Sequence, residues 1–192
     1  MVWLLALGAT SAMAADLTVE VLDANGKTVP DAVLYAEPAK GSPPATPANA
    51  HAVIDQVNKE FVPLVTVIQA GTSVNFPNKD NIRHSIYSFS PAKTFTTKLY
   101  AGREAAPVTF DKPGLVVLGC NIHDTMVAWV FVVDTPWFTK TGADGTGTIK
   151  GLPAGEYHIM ATASGGVVTT GTLDVQLADL PLRRSIKLAA GL

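Results

Sequence analysis

The chain's 13 prolines and 16 glycines cut it into short apolar runs, and this segmentation constrains the fold more than any other feature. Runs of about four to eight residues suit strands, whereas helices need about ten or more with a 3.6-residue period. The runs are rich in Val and Thr, and no helical apolar period is sustained. The chain therefore reads as all-β. Strands are expected at 17–22, 32–35, 64–69, 73–76, 85–89, 108–110, 115–118, 127–134, 157–161, 172–175 and 185–188. Leu17, Val19 and Val21 alternate onto one face, and the turn Asp23-Ala24-Asn25-Gly26 reads as a hairpin joining the first two strands. Gly71, Asn78, Pro91 and Pro113-Gly114 break the middle runs.

Two composition shifts divide the chain. Residues 38–50, PAKGSPPATPANA, lack a core-forming pattern and read as a linker or surface crossing. After Pro136 a polar, Gly-rich turn at 141–147 begins a second change. At the start, MVWLLALGATSAMAA is an apolar run ending in small residues, with Ala12-Met13-Ala14 fitting an A-x-A cleavage site, although no Lys or Arg precedes it. It is too short to span a bilayer. The expectation is a signal peptide over 1–15, a periplasmic or otherwise secreted mature protein, and no stable membrane insertion. With 14 Lys+Arg against 16 Asp+Glu, a net charge of -2 and no long basic run, the chain lacks the footprint that nucleic acid requires.

Export makes the cysteine count informative. A single Cys cannot form an internal disulfide and is an oxidisable thiol in an oxidising compartment. Burial, an intermolecular bridge or a bound metal would each account for it, and the neighbours of Cys120 favour metal. Cys120-Asn121-Ile122-His123-Asp124-Thr125-Met126 packs a thiolate, an imidazole and a thioether into one expected loop between two strands. His84, 36 residues earlier, begins another strand. Two His and one Cys with a weak axial Met is the ligand set of a mononuclear blue-copper site, where soft sulfur suits Cu(I) and imidazole suits both oxidation states. The candidate metal ligands are thus His84, Cys120, His123 and Met126, and the cofactor is one copper ion cycling between Cu(I) and Cu(II). Zinc sites rarely use thioether, and covalent haem needs a second Cys. Asp124 reads as a surface charge or loop hydrogen-bonding group, His51 as solvated, and His158, which has no partner motif, as a satisfied core histidine.

Val74-Asn75-Phe76-Pro77-Asn78-Lys79-Asp80, His84, Phe110-Asp111-Lys112-Pro113-Gly114 and Cys120-x-x-His123-x-x-Met126 together resemble the plastocyanin and amicyanin branch of the cupredoxins. The resemblance covers roughly 61–134 and implies a Greek-key β-sandwich. It makes His84 the upstream imidazole, Cys120 the thiolate, His123 the more exposed imidazole and Met126 the axial ligand. Two positions depart from the family. Ser85 stands where an Asn often ties the ligand loops together, and Leu118-Gly119 stands where an aromatic and polar pair is common. A hydroxyl donates a single hydrogen bond, so the surroundings of the ligands are expected to differ.

The ends carry a second resemblance. Asp23-Ala24-Asn25-Gly26-Lys27 with Val29-Pro30-Asp31-Ala32, and Ala143-Asp144-Gly145 with Gly151-Leu152-Pro153-Ala154-Gly155-Glu156-Tyr157, are similar to the carboxypeptidase regulatory-like, transthyretin-type β-sandwich. About a hundred residues separate the two stretches here. The expected organisation is a split Ig/transthyretin-like sandwich over 16–45 plus 138–192, with a cupredoxin domain over 50–137 inserted into or flanked by it. A resemblance to methylamine-utilisation accessory proteins suggests a setting.

These features imply a periplasmic carrier of single electrons between redox partners, such as a cytochrome or a periplasmic dehydrogenase, rather than an enzyme. The chain has four His and no Ser-His-Asp arrangement, phosphate loop or convincing carboxylate pair. A copper carrier or sensor that delivers or stores metal, and a structural β-sandwich module, remain as alternatives.

Overall fold

The structure, a computed structural model, describes residues 14–101, 106–164, 168–178 and 180–189. The expected signal peptide lies outside the described residues except for its last two, Ala14 and Ala15, which begin the first strand. Strands β1 (Ala14–Leu22) and β2 (Val33–Pro38) open the chain. The middle holds β3 (His51–Val53), β4 (Asp55–Val57), β5 (Glu60–Val62), β6 (Val65–Gln69), β7 (Thr72–Asn75), β8 (Ile86–Ser90), β9 (Lys93–Thr96), β10 (Val108–Phe110), β11 (Gly114–Cys120) and β12 (His123–Val133). The end holds β13 (Phe138–Lys140), β14 (Thr146–Pro153), β15 (Gly155–Ser164), β16 (Val168–Leu177) and β17 (Leu182–Lys187). The described chain is all-β, and no helix in it is long and apolar enough to cross a membrane.

The middle strands form a five-stranded sheet, ordered β6-β12-β11-β8-β9, and a three-stranded sheet, ordered β10-β7-β3. Their shared core includes Val74, Phe76, Phe110, Val116, Leu118, Met126, Ala128 and Val130. Period-2 alternation determines which side chains enter it. In β11, Val116, Leu118 and Cys120 are buried while Val117 is exposed; in β12, Met126, Ala128, Val130 and Val132 are buried. The same alternation that builds the core therefore carries Cys120 and Met126 to its upper end. The hairpin of β4 and β5 was not evident in the sequence, because its tip, Asn58-Lys59, reads as an ordinary polar stretch. Both tip residues have positive φ, 54° and 63°.

The outer strands enclose a second core between the sheets β14-β1-β17 and β13-β2-β15-β16. Leu17, Val19 and Val21 enter it from β1, and Leu34 and Ala36 enter it from β2. The expected hairpin of β1 with β2 does not form, since these strands lie in different sheets. Both flanks of β1 are taken, by antiparallel β14 and by parallel β17. The turn itself is present: Asp23 Oδ1 accepts the N–H groups of Asn25 and Lys27 at 2.8 and 2.9 Å, and Gly26 has φ 83°. Beyond it the chain doubles back only briefly, with Thr28 bridging Leu22 and the Val29 N–H donating to Val21 O at 2.9 Å, before β2 joins the other sheet. Strand β14 was masked in the sequence by Gly147, Gly151 and Pro153, which look like breakers. Pairing with β1 overrides them, and Gly151, at φ 68°, donates its N–H to Asp16 Oδ1 at 3.1 Å. Tyr157 closes this end, stacked edge-on to Trp137 with its hydroxyl donating to Pro153 O at 2.9 Å.

A third apolar cluster joins the two cores. Val33 of β2 packs with Val65 of β6 and Phe131 of β12, and Tyr35, Val67, Leu115 and Trp129 surround them. Lys140 Nζ bridges the junction, donating to Val65 O and to Asp31 Oδ1, each at 2.8 Å. The outer face of the five-stranded sheet is thus covered over β6, β12 and the start of β11, while Val117 and Phe89 farther along it stay exposed.

Candidate metal centre

The ladder between β11 and β12 breaks at the site. Leu118 pairs with Ala128 and Gly119 with Val127, so a regular continuation would set Cys120 opposite Met126. Cys120 pairs with His123 instead. The extra residues of this irregularity bring His123 beside Cys120, while Met126 returns to the core at 1% exposure. This corrects the expected open loop over 120–126: the strands run into the site, and Asn121-Ile122 forms a tight turn. Such irregularities re-aim side chains at functional positions.

His84 arrives from another element. It is fully buried and clamped to Tyr100 by reciprocal backbone hydrogen bonds of 3.0 Å. Cys120 Sγ lies 3.7 Å from His84 Nδ1 and 3.9 Å from His123 Nδ1. The two imidazole centroids are 5.1 Å apart. The three ligand atoms lie within 4.8 Å of one another, the one such group of His, Cys, Asp or Glu among the described residues. The spacing tests whether an ion fits. At zinc-like lengths of about 2.3 Å to thiolate and about 2.05 Å to imidazole, two donors held at 120° stand about 3.8 Å apart. The two sulfur–nitrogen separations match that value, and the cluster is compatible with a single type 1 copper site. Met126 lies in the same core as Cys120. His51 is exposed on β3. His158 is exposed rather than buried in a core, because β15 turns it outward to pair with Asp174 of β16 at 2.6 Å; both stand outside the cluster.

Asn121, Tyr87 and Asp80 adjoin the ligands, and the sequence assigned none of them a role at the site. Asn121 donates its side-chain N–H to Ser85 Oγ at 2.8 Å and its backbone N–H to Ser85 O at 3.1 Å. Ser85 Oγ in turn donates to Thr97 O at 2.9 Å. The tie between the ligand segments is therefore made, with the amide supplied by Asn121 and Ser85 Oγ acting as the acceptor. Gly119 serves a packing role, because a Cβ there would sit 2.5 Å from Tyr87 Cζ. The aromatic ring expected beside the Cys comes across the sheet from Tyr87, the partner of Gly119. The third neighbour is Asp80, whose Oδ2 lies 2.8 Å from His84 Nε2. Burial pushes the Asp80 carboxyl up, but hydrogen bonds from Lys59, His84 and Asn58 outweigh it and hold the group below the usual carboxylate range. An Asp four residues before a His is a weak sequence signal, since the contact depends on how the 78–84 segment folds.

No protein-family model and no curated protein matches the chain. Among solved structures, its neighbours are amicyanin and other cupredoxins. A reduced Cu(I) form of an amicyanin mutant shares 19% identity over 52% of this chain and 99% of its own, with a TM-score of 0.41. A purple cupredoxin from Nitrosopumilus maritimus shares 25% identity over 44% of this chain and 100% of its own, at a TM-score of 0.38. A copper-containing nitrite reductase from Thermus scotoductus SA-01 shares 25% identity over 59% of this chain and 28% of its own, at a TM-score of 0.41.

Proposed function

We propose that the chain is an exported carrier of single electrons, in which His84, Cys120, His123 and Met126 would hold one type 1 copper ion. The carrying observation is the buried Cys120 thiol with two imidazole nitrogens 3.7 and 3.9 Å away, all three atoms within 4.8 Å of one another. When bound, copper supplies one-electron exchange between Cu(II) and Cu(I). The protein's part is to hold soft and borderline donors in one spacing, so that neither state requires rearrangement. His84 and Cys120 are sealed from water, whereas His123 is partly exposed and adjoins Ile122, 48% exposed. That edge is the route by which electrons enter and leave, and its small apolar surface suits brief encounters with a cytochrome or periplasmic dehydrogenase. The two cores support reading 16–45 plus 138–192 as one unit and 50–137 as another, with the first orienting the second.

Titrating Cu(II) into the purified protein tests the reading. An intense visible thiolate-to-copper band should grow to one equivalent and disappear in Cys120→Ser. A missing band, or unchanged copper affinity in Cys120→Ser, would refute the site. Stopped-flow exchange with small redox partners then tests the role, and slow exchange with all of them would point to delivery or storage instead.

A further inference from the structure

We propose that Asp80 is the positioning residue of this site: it fixes the tautomer and orientation of His84 and adds a negative charge that favours the oxidised ion. The proposal rests on the copper reading for its second half only. Asp80 Oδ2 faces His84 Nε2 at 2.8 Å, with the Asp80 side chain 12% exposed and the His84 side chain fully buried. A carboxylate accepts and does not donate, so the proton of a neutral His84 sits on Nε2. Nδ1, the nitrogen 3.7 Å from Cys120 Sγ, then carries the free lone pair. A metal-ligating histidine generally donates its other N–H to such a group, which raises its donor strength.

The carboxylate is itself held. Asp80 Oδ1 accepts the Asn58 N–H at 2.6 Å, and Oδ2 accepts the Lys59 N–H at 2.9 Å. Both donors sit at the tip of the β4–β5 hairpin, where the positive φ of two successive residues turns adjacent N–H groups to one side, an anion-binding arrangement. From the other direction Asn78 Oδ1 accepts the Asp80 N–H at 2.9 Å, while Asn78 Nδ2 donates to Ile82 O and Tyr100 O at 2.8 and 2.9 Å. The hairpin has no ligand of its own. Its contribution is to hold the group that aims one.

The first measurement uses metal-free protein labelled with 15N at pH 8. Long-range proton–nitrogen correlations should show His84 protonated on Nε2 alone in the wild type and mixed between tautomers in Asp80→Ala. The second uses copper-loaded protein. Asp80→Asn should weaken Cu(II) about 10–100-fold, with a smaller effect on Cu(I), and raise the reduction potential by about 59 mV for each tenfold difference. Asp80→Glu, which keeps the charge, should recover most of that shift. A wild-type His84 protonated on Nδ1, an unchanged tautomer in Asp80→Ala, or an Asp80→Asn potential equal to wild type would overturn the proposal. If Asp80→Ala does not fold, the wild-type tautomer and the Asn and Glu variants still decide. If the wild type gives no copper band, the copper reading fails, while the metal-free tautomer still decides what Asp80 does.

Discussion

The Asn121–Ser85 tie can be weighed directly by a double-mutant cycle in metal-free protein. Asn121→Ala removes the 2.8 Å hydrogen bond to Ser85 Oγ and leaves the 3.1 Å backbone bond from Asn121 N–H to Ser85 O intact. Ser85 is 3% exposed, so water does not readily replace the lost donor. A typical intramolecular hydrogen bond contributes about 0.5–1.5 kcal/mol net, and an unsatisfied buried group costs about 1–3 kcal/mol. Because Ser85 Oγ still donates to Thr97 O at 2.9 Å, the expected loss for Asn121→Ala is about 1–2 kcal/mol. Ser85→Ala removes both of its side-chain bonds and should cost more, although the exposed Asn121 amide then returns to water. In the double mutant the shared bond is removed once, so the two single losses should exceed the double loss by about 1 kcal/mol. Urea unfolding followed by fluorescence measures all four corners of the cycle. If the losses add within about 0.3 kcal/mol, the two side chains do not interact in solution, and the tie across the ligand segments is wrong.

Two further outcomes follow from packing and charge. Phe131→Ala should open a cavity in the junction between the two cores and cost about 3 kcal/mol, at the low end for a buried Phe because the cluster is small. Urea unfolding read through Trp129, which packs there, checks this, and a loss below about 1 kcal/mol would show that the junction contributes little. The Asp111 carboxyl is held below the usual range by the hydrogen bond from Lys93 Nζ at 2.9 Å, assisted by its own backbone N–H and by the Lys93 charge. A depressed folded-state pKa means that its stabilisation is complete above the ordinary carboxylate value and is lost as pH falls through the depressed one. The gain is small because the carboxylate is exposed and screened. Carbon-13 titration should find the Asp111 midpoint below the usual carboxylate range and raise it in Lys93→Met; an unchanged midpoint would show that the ion pair is a static contact only.

How much of this was legible in the sequence differs by residue. Leu17, Val19 and Val21 announce their face because alternation is a local property of a strand, and Cys120-x-x-His123-x-x-Met126 announces its chemistry because three soft or borderline donors stand within seven residues. His84 entered the reading through its place between expected strands and its resemblance to a family pattern. The partner of β1 was not legible, since an antiparallel turn looks the same whether the chain returns to its own sheet or crosses to the next one. β14 was hidden for a related reason: its Gly and Pro residues argue against a strand until β1 supplies the pairing.

What the sequence determined by itself was the all-β character, the division into short strands and the donor types available to an ion, because these depend on local propensity and on side-chain chemistry. Only the tertiary structure decided the spacing of the donors, the exchanged roles of Ser85 and Asn121, the ring of Tyr87 lying over Gly119, and the carboxylate of Asp80 behind His84. Each of these depends on contacts between residues distant along the chain or on the path of an irregular segment. Local periodicity carries no information about either.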